Sequence, residues 1–288
     1  MGSASRVGQT IGGALGRVGR ALRLSGWLRE RRGGIGLALG GGFARGIAHI
    51  GVMQVFEEQK IPVSAIAGVS AGAIMAGAYA SGTPLDQIER IARKMRFGDV
   101  ARWTVSRMGL VTSERMAGFL KRLLTVYEFE KMRIPLAVVA TDLACGDPVI
   151  FKDRGDVIGP IRASCSYPGL FMPVKLDGYN LVDGAISMDV PAEAIQLLNP
   201  ACVASVPLRA PDCSFDSTNM LSVVNRCFQI LQERTEEQWQ RQSDVIITPD
   251  VSRFEWDGFE KAGEIIEAGR QAALEAMPEL KRRLAEAS

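Results

Sequence analysis

Two short apolar segments of this chain each run into a glycine-rich turn and then into a stretch with helical spacing. The first, GIGLALGGG, predicts a buried strand at residues 35–39, followed by a helix at 44–59. The second, IPVSAIAGVSAG, predicts a strand at 63–67, followed by a small, apolar helix at 71–80. Strands that alternate with helices pack as parallel units, so we expect an α/β fold with a mainly parallel central sheet.

The rest of the chain continues this alternation. Thr83, Pro84 and Asp86 predict the start of another helix, with Thr83 as the cap of a capping box. Further strands are expected at 134–143, 148–153, 178–183, 201–208 and 244–250, and helices at 157–165, 191–198 and 220–242. Since no repeat or linker interrupts the pattern, residues 33–288 are predicted to form one domain.

Composition restricts the kinds of partner that the chain could have. Of its 288 residues, 47% are hydrophobic and 23% are charged, which is ordinary for a globular protein. The net charge of +2 argues against a nucleic-acid partner. No run of 18 apolar residues is present, so no transmembrane helix is expected.

The cysteines and the single histidine bear on compartment and metal content. The five cysteines are odd in number and form no C-x-x-C pair, which favours a reducing, cytoplasmic compartment over a disulfide framework. His49 is the only histidine and the cysteines form no cluster, so a zinc site is not expected.

Residues 1–32 differ from the remainder and are interpreted as an N-terminal extension. They carry seven arginines and one acidic residue, Glu30. Val7, Ile11, Leu15 and Val18 recur at helical spacing, although glycines interrupt the pattern. Three interpretations remain open: a helix that makes transient, peripheral contact with a membrane surface, a frayed or core-packing extension, and an organelle transit peptide.

The stretch GVSAG places Ser70 between Gly68 and Gly72, with an apolar strand before it and a helix after it. This context is typical of a nucleophile elbow, in which a serine is held exposed on a strained turn. The helix N-terminus would add a favourable dipole for developing negative charge. The alternative is an ordinary turn with a helix-capping serine.

The stretch LGGGFARG places Gly40, Gly41 and Gly42 between a strand and a helix. Uncovered backbone N–H groups in such a turn can form an oxyanion hole. The spacing matches neither a dinucleotide fingerprint nor a Walker A loop, so nucleotide binding is the weakest interpretation. A plain glycine turn is the structural alternative.

The stretch LVDGA ends a predicted strand at Asp183, followed by Gly184. A carboxylate at this position is a candidate base, although Asp-Gly is also a common turn pair. A histidine base would be expected after the acid, and His49 precedes it. If Ser70 is a nucleophile, its base is therefore predicted to be Asp183.

Together these motifs resemble the patatin-like phospholipase family, most closely its compact bacterial members. The order of GGGFARG, GVSAG and DGA matches, with Arg45 and Gly46 completing the first motif, and GIAHIGVMQVFEE and RASCSYPGLFMPV also look like family signatures. The resemblance covers about residues 33–270 and leaves the N-terminal extension outside it.

The resemblance implies a lipid acyl hydrolase of phospholipase A or lysophospholipase type on a three-layer α/β sandwich, without metal or cofactor. Ser70 would attack the ester and form an acyl-enzyme, and Asp183 would act as base. The N–H groups of Gly41 and Gly42 would hold the oxyanion, with Gly40 shaping the turn. His49 carries no catalytic role in this scheme.

One departure from the family pattern falls in the oxyanion turn, where Phe43 replaces a glycine and could narrow the approach to the site. Residues 95–116, rich in Met and Arg and containing Trp103, are interpreted either as a lid or membrane-facing rim or as a packed surface loop and helix. Five side chains could line an acyl pocket or fill the core: Phe171, Met172, Phe254, Trp256 and Phe259.

Two other functions are alternatives, of which the first uses the same motifs and the second has no need of them. An acyltransferase would pass the acyl group to an alcohol or thiol, and a non-catalytic lipid-binding scaffold would keep the fold alone. The expected partner in each case is a phospholipid or lysophospholipid, and a homodimer is compatible with the sequence.

Overall fold

The computed structural model describes residues 32–104, 106–208 and 220–287. Its strands are β1 Arg32–Leu39, β2 Val63–Val69, β3 Arg102–Trp103, β4 Val111–Thr112, β5 Leu136–Asp142, β6 Pro148–Lys152, β7 Val174–Leu176, β8 Tyr179–Asp183, β9 Pro200–Val206 and β10 Val245–Ile246. Its helices are α1 Ala48–Glu58, α2 Ala71–Ala80, α3 Leu85–Ala92, α4 Phe97–Val100, α5 Glu114–Leu123, α6 Ile158–Ser164, α7 Ala192–Gln196, α8 Met220–Gln240 and α9 Ala262–Ala287.

Eight strands form one mixed sheet in the order β10-β9-β1-β2-β5-β8-β7, with β6 also paired to β5. The pairs β10–β9, β9–β1, β1–β2 and β2–β5 are parallel. Strand β5 pairs antiparallel with β6 and β8, and β7 pairs antiparallel with β8. The predicted α/β fold with a mainly parallel central sheet is confirmed.

Strands β2 and β8 share one edge of β5, because β6 pairs along the other edge from Ala137 to Thr141. Strand β2 covers the first part of the shared edge as far as Val69, opposite Val139. Strand β8 pairs with the next part of β5, and its last residue, Asp183, lies opposite Ala140. Since β2 runs parallel and β8 antiparallel to β5, their carboxyl ends meet head to head.

Helices cover both faces of the sheet and complete a three-layer sandwich. Side chains alternate along β1, so Leu37 and Leu39 pack in the cluster that contains α1 and α9. Ala38 faces the opposite layer, in the cluster that contains α7 and Trp239 of α8. The site described below lies at the carboxyl ends of the central strands, where parallel sheets place ligands.

Several predicted element boundaries change in the structure. The helix expected at 44–59 begins as a 3-10 turn at Phe43–Ile47, and α1 starts only at Ala48. Thr83 does not cap α3, whose N-cap is Pro84. The buried Thr83 hydroxyl instead donates to the backbone oxygen of Leu123, a tertiary contact that overrides the local capping preference.

The interval 95–116 contains more regular structure than the sequence pattern indicated, namely α4, the β3–β4 hairpin and the start of α5. The N-terminal extension lies outside the described residues except for Arg32, which begins β1. Within the described part of the chain, no helix is long and apolar enough to span a bilayer.

Candidate active site

Ser70 occupies a tight turn between β2 and α2. Its backbone has φ 52° and ψ −123°, a region that residues with a side chain rarely adopt. A Cβ at Gly68 would lie 2.5 Å from the Gly72 oxygen, and one at Gly72 would lie 2.2 Å from the Leu39 oxygen. Both glycine positions of the G-x-S-x-G motif therefore require glycine, because other backbone segments pack closely against them.

The Ser70 hydroxyl is directed to Asp183 and does not cap α2. Its Oγ donates to Asp183 Oδ2 at 2.8 Å. The other carboxylate oxygen, Oδ1, accepts the Ala185 N–H at 3.0 Å, and the Asp183 backbone oxygen accepts the Thr141 hydroxyl at 2.9 Å. A Cβ at Gly184 would lie 2.3 Å from the Val139 oxygen, so Gly184 lets the chain turn directly against β5.

Asp183 is buried, and this environment alters its acidity. Burial raises the pKa of Asp183 to about 7, even though hydrogen bonds from Ala185 N–H and Ser70 favour the ionised form. The negative charge of the nearby Asp189 raises the pKa further. The carboxyl group that faces Ser70 therefore titrates near neutral pH, where a general base is most effective.

The glycine turn after β1 lies against the serine. A Cβ at Gly41 would be 3.3 Å from Ser70 Cβ, and one at Gly42 would meet the Leu208 side chain at 2.8 Å. The Gly40 N–H donates to the Val206 oxygen at 3.1 Å. The Gly41 N–H, expected to be open to an oxyanion, makes a long hydrogen bond of 3.4 Å to the Asp189 oxygen.

Phe43, which departs from the family pattern, forms a wall of the site. Its backbone has a φ of 51°. Its ring packs edge-to-face against Tyr167 and Trp256, each with a centroid distance of 5.1 Å. This packing places the Phe43 side chain in the lining of the cavity above Ser70.

His49 supports the glycine turn. It is fully buried, and its Nε2 lies 2.9 Å from the Gly40 oxygen. Burial lowers the pKa of His49 to about 4, so the ring is neutral at pH 7 and donates from Nε2 to the carbonyl. The structure therefore places His49 as a support of the turn, with its hydrogen bond to Gly40, whereas the Ser70 hydroxyl bonds to Asp183.

Arg45 and Gly46 lie in the 3-10 turn that directly follows the three glycines. Arg45 is buried and faces Asp189, whose negative charge partly offsets the lowering of the Arg45 pKa by burial. Burial raises the pKa of Asp189 to about 7, and its Oδ1 accepts a hydrogen bond from Gln232 of α8. A Cβ at Gly46 would lie 2.5 Å from Ala71 Cβ, so this glycine lets the turn pack against the start of α2.

A segment to which sequence reasoning gave no role connects Ser70 with Asp183. The Ser70 N–H donates to Ser164 Oγ at 2.8 Å, and the Asp183 N–H donates to the Ser166 backbone oxygen at 2.9 Å. Cys165 lies between these serines and lines the cavity beside Ser70. Burial holds the pKa of the Cys165 thiol well above its usual value, so it stays protonated. The sequence signal for this segment was the stretch RASCSYPGLFMPV, which resembles a family signature but does not reveal these contacts.

An apolar cavity opens at Ser70 and Ala71. Helix α2 contributes Ile74 and Met75 to its lining. The region around α4 and α5 contributes four further side chains, Met95, Phe97, Val100 and Met116. Of the aromatic residues proposed for an acyl pocket, Phe171 and Phe259 line this cavity, whereas Trp256 packs behind Phe43 and Phe97.

Met172 and Phe254 lie away from this cavity lining. Phe254 is buried in the main apolar core, which corresponds to the core-filling interpretation. The backbone N–H of Met172 donates to the Val111 oxygen at 3.1 Å, which joins the segment after Phe171 to the β3–β4 hairpin.

These features define an α/β protein with a strained strand–serine–helix turn and an acid partner for that serine. The family model for patatin-like phospholipase matches residues 37–195, more than half of the chain. The chain therefore belongs to the patatin-like phospholipase family.

Relatives with similar sequences agree with this membership. An uncharacterised NTE family protein of Mycobacterium tuberculosis is 34% identical over 195 residues, which cover 67% of this chain and 53% of the relative. The neuropathy target esterase of Drosophila melanogaster is 30% identical over 206 residues, covering 68% of this chain and 14% of the relative. The chain spans about half the length of the mycobacterial relatives that it matches.

Among solved structures, VipD from Legionella pneumophila is similar with a TM-score of 0.49 and 14% sequence identity. The alignment covers 88% of this chain and 67% of VipD.

Proposed function

We propose that this protein is a serine lipid acyl hydrolase of the phospholipase A or lysophospholipase type. The observation that carries the proposal is the hydrogen bond of 2.8 Å from Ser70 Oγ to the buried carboxylate of Asp183, at the end of an apolar cavity. A nucleophile and a base within hydrogen-bond reach are what acyl transfer requires. The apolar lining suits the acyl chain of a phospholipid or lysophospholipid.

In the proposed first half-reaction, Ser70 Oγ attacks the ester carbonyl carbon while Asp183 accepts the hydroxyl proton. The carbonyl π electrons move to oxygen and give a tetrahedral intermediate. When they return, the C–O bond to the glycerol-containing fragment breaks, and Asp183 delivers its proton to the departing alkoxide. Ser70 then carries the acyl group as an ester.

In the second half-reaction, a water molecule takes the place of the departed alcohol. Asp183 accepts a proton from this water as its oxygen attacks the acyl-enzyme carbonyl. Collapse of the second intermediate breaks the bond to Ser70 Oγ, which regains a proton from Asp183. The products are a fatty acid and the free enzyme, and the reactant consumed besides the lipid is one water molecule.

The oxyanion would be held by backbone N–H groups around Ser70. We assign Gly41 and Gly42 to this role, together with Ala71, which sequence reasoning missed although it directly follows the nucleophile. Ala71 begins α2, where N–H groups lack partners within the helix and the dipole favours negative charge. Use of the Gly41 N–H requires it to leave its long contact with the Asp189 oxygen.

Release of fatty acid from a panel of phospholipids, lysophospholipids and short-chain esters tests the proposal. Wild type is expected to release fatty acid, and Ser70→Ala and Asp183→Asn to lose it by about a thousandfold or more. Activity that survives in Ser70→Ala would overturn the assignment of the nucleophile. A wild type that is inert toward the whole panel would favour the scaffold, and acyl esters formed with an added alcohol would reveal an acyltransferase.

A further inference from the structure

The β3–β4 hairpin carries large apolar side chains in solvent. Trp103 is 70% exposed and Met108 is 57% exposed. Arg102 and Arg107, also exposed, lie beside them in sequence. We call these four residues the hairpin surface. Two large apolar side chains exposed within six positions of one hairpin, each beside an arginine, make this a candidate docking surface.

The hairpin is fixed to the wall of the active-site cavity. The Leu110 N–H donates to the Leu170 oxygen at 2.9 Å, and the Met172 N–H donates to the Val111 oxygen at 3.1 Å. Phe171, which lies between these two attachment points, lines the cavity that ends at Ser70. A membrane or molecule bound to the hairpin surface would therefore lie next to the cavity.

The chemistry of the hairpin surface fits a lipid bilayer. Trp favours the boundary between headgroups and acyl chains, because its ring is apolar and its N–H is polar. Residues 96–115 carry four arginines, Arg96, Arg102, Arg107 and Arg115, against two acids, Asp99 and Glu114. This positive balance is complementary to anionic headgroups.

We propose that the hairpin surface docks on anionic phospholipid bilayers and places the cavity at the level of the lipid headgroups, an inference that rests on the proposed lipid hydrolase function. Trp103 and Met108 enter the boundary region, and Arg107 contacts phosphates. Arg102 pairs with Glu114 at 3.5 Å and adds to the positive field beside it. A lipid ester then reaches Ser70 without its acyl chain crossing water. A short ester dissolved in water gains nothing from this contact.

Sedimentation with vesicles tests docking separately from catalysis, because it can be done on Ser70→Ala protein. The vesicles are phosphatidylcholine, with or without phosphatidylglycerol. The double substitution Trp103→Ser/Met108→Ser is expected to weaken binding to the anionic vesicles by roughly tenfold or more. Arg107→Glu is expected to weaken binding to anionic vesicles only, and by less as salt is raised.

Matched controls remove exposed leucines elsewhere on the molecule. Leu143 is 51% exposed in the turn after β5, and Leu274 is 41% exposed on α9. Leu143→Ser and Leu274→Ser should bind vesicles like the Ser70→Ala parent. Gel filtration of every variant reports its oligomeric state at the same time.

With Ser70 intact, the same double substitution is expected to lower the ratio of vesicle hydrolysis to soluble-ester hydrolysis by roughly tenfold. If the double variant loses vesicle binding and wild type shows no hydrolase activity, the proposed function is wrong and the docking surface is supported. Undiminished vesicle binding by the double variant, or no binding by the parent, would overturn the docking proposal. A parent dimer that dissociates in the double variant would reassign the surface to a second copy of the chain.

Discussion

Asp183 shows how one residue's surroundings set its chemistry. In water an aspartate is a poor base, because its pKa lies near 3.8. Its position at the end of β8 removes water from the carboxyl group, and burial raises its pKa to about 7. The proton affinity required of the base in the proposed mechanism thus comes from the fold.

The pH dependence of hydrolysis follows from this pKa. Only the carboxylate form of Asp183 accepts the Ser70 proton, so kcat/KM on a soluble ester should rise as the pH increases through about 7. Asp189 raises the pKa of Asp183, so Asp189→Asn should move this rise to lower pH. Initial rates measured from about pH 5 to 9 provide the check. A profile that is flat over this range would contradict Asp183 as the base.

Ser164 and Ser166 allow the link between Ser70 and Asp183 to be tested. Both serines are fully buried, but only Ser164 contacts Ser70 through its hydroxyl, whereas the Ser166 hydroxyl donates to the Arg162 oxygen. Ser164→Ala should lower kcat by roughly tenfold or more with little change in KM, because a misplaced nucleophile affects mainly the chemical step.

Ser166→Ala is the matched control, since it also deletes a buried hydroxyl. Thermal unfolding of the two variants should show losses of stability of similar size, about 1–3 kcal/mol. A parallel fall in kcat for Ser164→Ala and Ser166→Ala would mean that the effect is general loosening and that Ser164 does not position Ser70.

Some residue roles were visible in the sequence and others were not. The motifs around Ser70 and Asp183 are local, so their candidate roles could be inferred from neighbouring glycines. The contact of Ser164 with Ser70 joins residues 94 positions apart, which no local pattern reports. Thr83 failed as a predicted cap for the same reason, because a distant carbonyl competes for its hydroxyl.

At the scale of elements, the sequence predicted strands best where burial makes them continuously apolar. Strand β5, expected at 134–143, spans Leu136–Asp142, and helix α2 was predicted with its observed bounds, Ala71–Ala80. The β3–β4 hairpin has only two residues in each strand, too few to establish a periodicity. The head-to-head meeting of β2 and β8 depends on register along β5, which apolar patterning leaves undetermined.

The packing of α1 against α9 depends on a glycine. We therefore expect a substitution at this position to destabilise the fold. A Cβ at Gly269 of α9 would lie 2.0 Å from the Ala48 oxygen, where no side-chain rotation relieves the clash. Gly269→Ala should therefore destabilise the fold by about 1–3 kcal/mol or more, measured by denaturant unfolding.

Gly118 provides the control because it is an exposed glycine within α5, with room for a Cβ. Gly118→Ala should leave stability unchanged or raise it by up to about 1 kcal/mol. Equal behaviour of Gly118→Ala and Gly269→Ala would show that the helices do not pack as closely as described.

For the molecule as a whole, the buried titratable groups make stability depend on pH with opposing signs. The raised pKa values of Asp183 and Asp189 mean that the folded state binds more protons than the unfolded state between about pH 4 and 7. The contributions of these two groups to the free energy of unfolding therefore fall as pH rises through this window. His49 has a lowered pKa, so its contribution rises with pH between about 4 and 6.5.

Asp183→Asn isolates one of these contributions. Since asparagine does not ionise, the variant should gain stability relative to wild type as pH rises from about 4 to above 7, by on the order of 4 kcal/mol. Chemical unfolding of both proteins at several pH values measures this difference. A stability difference that does not change with pH would mean that folding does not raise the pKa of Asp183.

The most direct measurement of the central claim is covalent labelling by an active-site-directed fluorophosphonate, with the modified residue located by peptide mass spectrometry. The proposed dyad predicts one adduct on Ser70 in wild type, none in Ser70→Ala, and labelling slowed by roughly a hundredfold or more in Asp183→Asn. An adduct on a different residue, or labelling of Ser70 that is equally fast in Asp183→Asn, would contradict a Ser70–Asp183 acyl hydrolase.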